Sequence, residues 1–194
     1  MRYLFLILMM LTSFGSVAKG EFLQKDNLFP RVKFETSEGH IVVELDRTRA
    51  AITVNNFLSY VEKKLYDNTL FHRLEPEFVL QGGGYDRELK PVKNFEEIIN
   101  ESGNGLKNRL YTISMARQTE PHSATSQFFF NLNDNPSLDP GRSWGYAVFG
   151  NVVEGMEVFD KIKAIETQFN EKLGWDNFPK KPVVLIRVIL LPAV

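Results

Sequence analysis

Between residues 32 and 190 the chain is cut into many short runs of alternating apolar and polar residues separated by Gly, Asn and Pro, and this pattern limits the fold more than any other feature. Successive side chains of an extended strand point to opposite faces, so each run can bury one face only. Runs this short close a core when many of them pair edge to edge. Segments 32–36 and 39–45 flank Ser37-Glu38-Gly39 and read as a hairpin. Further strands are expected at 70–74, 78–81, 111–115, 127–132, 146–152 and 183–190. Over 51–65, Val54, Phe57, Leu58, Val61 and Leu65 recur at helical spacing, with Asn55, Asn56, Glu62 and Lys63 on the other face, which predicts an amphipathic helix. A second, shorter helix follows Gly155 over 156–165. The sum is an all-β domain, sandwich or closed barrel, with two helices suited to closing barrel ends. Periodicity does not choose between those architectures.

The residues able to do chemistry gather in Phe71-His72-Arg73, in Phe78, Gln81 and Gly82-Gly83, and in Ser126-Gln127-Phe128-Phe129. They set one arginine and two glutamines among aromatics, an arrangement that can hold a neutral amide against an apolar wall and polarise it. Alternation sends Phe128 and Phe130 to the core and Gln127 and Phe129 to the opposite face. Without a nucleophile among them, this set suits rotation about a bond better than breaking one, and since rotation transfers no proton His72 is read as structural. Gly82-Gly83-Gly84 lacks the Lys-Ser/Thr of a phosphate loop and reads as a turn permitting close backbone approach. Ser114, Ser123 and Ser126 lie in no nucleophile elbow, which argues against a hydrolase. Asn100-Glu101-Ser102 matches the short glycosylation pattern, which has a high false-positive rate.

The stretch 71–83, Met115-Ala116-Arg117, the stretch 125–130 and Val148-Phe149-Gly150 resemble a cyclophilin, a family of peptidyl-prolyl cis-trans isomerases, and the likeness runs from about Val32 to about Pro192. The resemblance implies a closed eight-stranded antiparallel barrel capped by two α-helices. It also implies a catalytic set of Arg73, Gln81, Gln127, Phe78 and Phe129, in which Arg73 is the donor to the twisting bond and the glutamines orient it. Val79, Ala116, Arg117, Leu138, Tyr146 and His72 are then assigned to substrate binding: Val79 and Leu138 join Phe78 and Phe129 around the proline ring, and the backbone of Ala116 and Arg117 pairs with the extended peptide. Loops 85–109 and 117–124 border the groove. Four positions depart from the best-known members: Glu75 where an aliphatic is common, Arg117 where many have Asn, Ser137 where many have Trp and Tyr146 where many have His. Lacking the indole at Ser137, the protein is expected to bind cyclosporin weakly.

With 194 residues, 43% of them hydrophobic, the chain suits one compact domain. A formal net charge of −1 leaves no basic stripe for nucleic acid. No cysteine is present, so there is no disulfide, thiol nucleophile or thiolate metal ligand, and no metal or cofactor is expected. Arg2, the apolar run 3–11 and Ser16-Val17-Ala18 read as a cleavable leader over 1–18, followed by a short polar link over 19–30 and the isomerase domain over 31–192. Polar Thr12 and Ser13 interrupt the run before the ~20 residues a membrane span needs. Export to a bacterial periplasm is expected, with secretion or membrane anchoring as alternatives. The expected partners are proline-containing, partly folded proteins met by a monomer. The rival from another class is a peptide-holding chaperone with vestigial turnover.

Overall fold

The computed structural model describes residues 23–193; the expected leader lies outside them, as do the first residues of the link. Eight strands close into an antiparallel barrel: β1 (Arg31–Thr36), β2 (Gly39–Leu45), β3 (Thr69–Leu74), β4 (Val79–Asp86), β5 (Thr112–Met115), β6 (Phe128–Asn131), β7 (Val148–Glu154) and β10 (Val183–Leu190), in the order β1-β10-β3-β4-β6-β5-β7-β2. Helices α1 (Ala51–Glu62) and α2 (Met156–Lys163) cover it, so the barrel is the observed answer to the open choice. Strands β8 (Thr167–Asn170) and β9 (Trp175–Pro179) form a separate hairpin that the apolar pattern did not announce.

The barrel interior is aromatic. Phe34, Phe57, Tyr66, Phe71, Phe128, Phe130 and Phe149 are all fully or almost fully buried. Phe128 alone meets Phe34, Phe57, Tyr66, Phe71 and Phe130 at ring-centroid distances of 5.3–6.0 Å. These are the edge-to-face contacts that the ring quadrupole favours.

Helix α1 ends three residues before the expected Leu65, because Lys64 takes a left-handed φ of 55° and turns the chain, while Leu65 still packs on the core. No side chain of its own caps its start. Glu101 does so from the long loop, accepting from Ile52 N at 3.2 Å and from Thr53 N at 2.8 Å, an anion at the positive helix end. The link is tied down as well: Arg47 donates to the carbonyls of Leu23, Gln24 and Asn27 at 2.7–2.9 Å. Among the described residues no helix is long and apolar enough to cross a membrane.

Candidate active site

Register brings the polar residues together. Arg73 on β3 faces Gln81 on β4, and Gln81 faces Phe129 on β6, so three strands present one row. Strict alternation from buried Phe71 would have turned Arg73 inward. The β3–β4 ladder shifts between Phe71 and Arg73, and this irregularity at His72 resets the phase so that Arg73 points out and Leu74 in. On β4, Val79 and Gln81 share the outer face at period two.

Outside the barrel wall, Val79, Ala116 and Phe129 form a second apolar cluster, with Phe78, Leu138 and Tyr146 packed against it. The cluster floors a groove of about 580 Å³ whose polar rim includes Arg73, Glu75, Gln81, Arg117, Asp176 and Asn177. Apolar floor and few convergent polar groups make the usual composition of a ligand site. Phe129 meets Tyr146 edge to face at 5.5 Å, and Asn135 Nδ2 donates to the Phe78 carbonyl at 2.9 Å, which fixes the floor from below.

The guanidinium of Arg73 sits 5.9 Å from the Phe78 ring centre. Its Nη1 donates to Gln81 Oε1 at 3.3 Å, and Gln81 Nε2 donates to Gln127 Oε1 at 2.8 Å. Gln127 is therefore one bond removed from Arg73 and does not line the groove. Its space exists because residue 84 is glycine: a Cβ there would stand 2.7 Å from Gln127 Cδ. Gly83, at a φ of 78°, lies where a Cβ would meet Ser126 O at 2.9 Å. The glycine run is part of strand β4 and not the expected turn; what was foreseen, close approach, is what it provides.

One assignment needs correction. His72 has no exposed surface; its ring is packed against Tyr85 at 4.9 Å and Trp175 at 5.3 Å, so it cannot touch a substrate from there. Neither ring nitrogen makes a hydrogen bond of good geometry among the described residues, although the Leu70 backbone and the Gln127 side chain lie close enough to oppose, in part, the effect of burial. Arg117, expected to contribute its backbone, also has a placed side chain: its guanidinium lies 4.8 Å over the Tyr146 ring and donates to the carbonyls of Gly145, Gln118, Thr119 and Trp144 at 2.6–3.3 Å. It is a strut that shapes the rim. Ala116 N already donates to Gln127 O at 2.9 Å, which leaves the Ala116 carbonyl and the Arg117 N–H for an incoming strand. Asn100 is no glycan acceptor in this fold: it is buried, with its amide bonded to Pro121 O and Gly145 O at 3.1 and 3.0 Å, tying two rim loops together.

Sequence reasoning missed the β8–β9 hairpin, which brings Gly174, Trp175, Asp176 and Asn177 to the groove. The signal available was the turn-rich 170–174 followed by two aromatics, Trp175 and Phe178. Glu75, noted only as a departure, accepts from Arg73 Nε at 3.0 Å and Nη2 at 2.5 Å, and from Asn177 Nδ2 at 3.0 Å, all on Oε1. Among the described residues no group of His, Cys, Asp or Glu could hold a metal ion.

Burial lowers the His72 pKa from 6.5 to about 4. A depressed folded value means the unfolded chain takes the proton first, so stability is complete above about 6.5 and is lost as pH falls toward about 4. The loss is expected to reach at most about 3 kcal/mol for one proton. Tm measured from pH 7 to pH 4 should decline, and His72→Gln should flatten that decline; an unchanged slope would refute the burial argument. Glu35, held down to about 2 by hydrogen bonds from Arg187 and Lys33, acts in a lower window, between 4.5 and about 2.

The model of the family "cyclophilin type peptidyl-prolyl cis-trans isomerase/CLD" matches residues 31–189. Peptidyl-prolyl cis-trans isomerase A of Dickeya dadantii (strain 3937) is 48% identical over 156 residues, covering 79% of this chain and 80% of that protein. Peptidyl-prolyl cis-trans isomerase B of Escherichia coli (strain K12) is 48% identical over 158 residues, covering 79% and 95%. A crystal structure of a Cryptosporidium parvum cyclophilin type isomerase superposes with a TM-score of 0.68 at 22% identity, over 86% of this chain and 99% of that one, and shares the fold.

Proposed function

The chain belongs to the cyclophilin-type peptidyl-prolyl cis-trans isomerases and acts on proline-containing protein substrates, and from that premise we propose that Arg73 accelerates the rotation by stabilising the twisted imide. An X-Pro bond resists rotation because twisting destroys amide resonance, at a cost of about 18–20 kcal/mol. As resonance is lost, the prolyl nitrogen regains a lone pair. A fixed donor aimed at it binds the twisted state more tightly than either planar form, and such differential binding is catalysis. Arginine suits this because its fork is planar and charged at every physiological pH.

The observation that carries the reading is the count of donors on Arg73. Of the five N–H groups of an arginine, three are engaged by Glu75 and Gln81, which leaves two unengaged among the described residues, beside the apolar floor, for a substrate. The proline ring rests on Phe78, Val79, Phe129 and Leu138 while Gln81 and the rim backbone hold the flanking peptide. Turnover requires no side chain that titrates near neutrality, so it should vary little from pH 6 to 8.

The substrate is an unfolded or partly folded client, and the physiological use is assistance to folding. A tetrapeptide isomerisation assay on wild type and Arg73→Ala tests the mechanism. Cyclosporin added to that assay should inhibit weakly, because exposed Ser137 offers no ring at the rim; nanomolar inhibition would contradict this. Location outside the cytoplasm rests on residues 1–18 alone. Mass spectrometry of the protein purified from periplasmic extract should find a chain starting at Lys19, and a full-length chain confined to the cytoplasm would refute export.

A further inference from the structure

We propose that Glu75 and Asn177 are positioning residues that hold the Arg73 guanidinium for catalysis and so tie turnover to the β8–β9 hairpin; this rests on the reading of Arg73 as the donor to the twisted imide. Arg73 and Glu75 lie two residues apart at the end of β3, where the backbone is fixed by a turn: Glu75 N donates to Val79 O at 2.9 Å and Phe78 N to Glu75 O at 2.8 Å. The Glu75 carboxylate therefore has a set origin, and its Oε1 collects Arg73 Nε, Arg73 Nη2 and Asn177 Nδ2. Gln81 takes Nη1 from the other side. Held at both ends, the planar fork can present its two unused N–H groups in one direction only.

Asn177 comes from β9, far along the chain, and its strand is braced by Trp175 packed on the His72 ring at 5.3 Å. Buried His72 gains a purpose here. It is the surface on which the hairpin rests, so the hairpin's placement and the arginine's aim are set together.

Two effects of Glu75 oppose each other. Its charge subtracts from the positive potential at the imide nitrogen, while its bonds fix the direction of the donors. The pair is about a third exposed, with side chains at 35% and 32%, so water screens the first effect. The second is not screened, because a loose guanidinium must be re-ordered in every turnover. Orientation wins.

The test is a set of variants in the tetrapeptide assay. Glu75→Leu is expected to lower kcat about tenfold with KM within about twofold, the cost of re-ordering one arginine. Glu75→Gln, which keeps an acceptor without the charge, should fall between wild type and Glu75→Leu, and Asn177→Ala should lower kcat about threefold. Adding Glu75→Leu to Arg73→Ala should change nothing further. The Nε–H resonance of Arg73, assigned by its absence in Arg73→Lys, should broaden and exchange faster with water in Glu75→Leu. A Glu75→Leu enzyme as fast as wild type, or the same loss in the Arg73→Ala background, would overturn the clamp while leaving Arg73 as donor. An active Arg73→Ala would overturn both.

Discussion

Replacing Arg73 with alanine is expected to lower kcat/KM for X-Pro peptides about a hundredfold to a thousandfold, the range seen when one preorganised donor is removed from a developing charge. Arg73 lies on the outer face of β3, partly exposed, and no core contact depends on it. Tm should therefore move by only about 2 °C. Arg73→Lys should recover little, since a mobile ammonium keeps the charge but loses the fork that Glu75 and Gln81 align. Near-normal turnover in a folded Arg73→Ala protein would remove the mechanism, although not the family membership. Peptide binding that survives when turnover is lost would show that the groove holds clients without needing this side chain.

How far the residues announced this structure varies with the physics involved. Phe128 to Phe130 were legible because an extended run through a barrel wall must alternate, and the three side chains do so: two in the core cluster, one in the groove cluster. Arg73 was legible only through its motif. Counting by twos from Phe71 puts it inside, and nothing in the residue types marks the irregularity at His72 that turns it out. The β8–β9 hairpin was invisible to the same counting because its side chains are mostly exposed or half-buried, so it carries no apolar alternation. Trp175 and Asn177 reach the groove through tertiary placement, and no local pattern encodes that. Glu75 was conspicuous as a departure, but its meaning depended on Asn177, 102 positions away. Arg117 shows the same limit: beside the local carbonyls of Gln118 and Thr119 it holds those of Trp144 and Gly145, which only the fold brings within reach.

Phe128→Ala and Phe129→Ala, one residue apart, are expected to fail in different ways. Phe128 touches five aromatic rings and has no exposed surface, so its loss leaves a cavity that a close-packed barrel cannot collapse into. Such deletions cost about 3–5 kcal/mol, which for a domain of this length lowers Tm by roughly 10 °C. The row of Arg73, Gln81 and Phe129 lies on the other side of the β-sheet, and the fraction that stays folded should keep KM near the wild-type value. Phe129 is nearly as buried, at 4% exposure, but it faces a groove of about 580 Å³ that water can enter. Deleting it removes the proposed platform for the proline ring without opening a sealed void. KM should rise about tenfold or more, as expected when a large apolar contact to substrate is lost, while Tm falls by less than half the Phe128→Ala change. Calorimetry and steady-state kinetics on the two proteins decide the matter. If Phe129→Ala proves the less stable of the two with KM intact, the division of these neighbours between core and groove does not describe where their energy is spent.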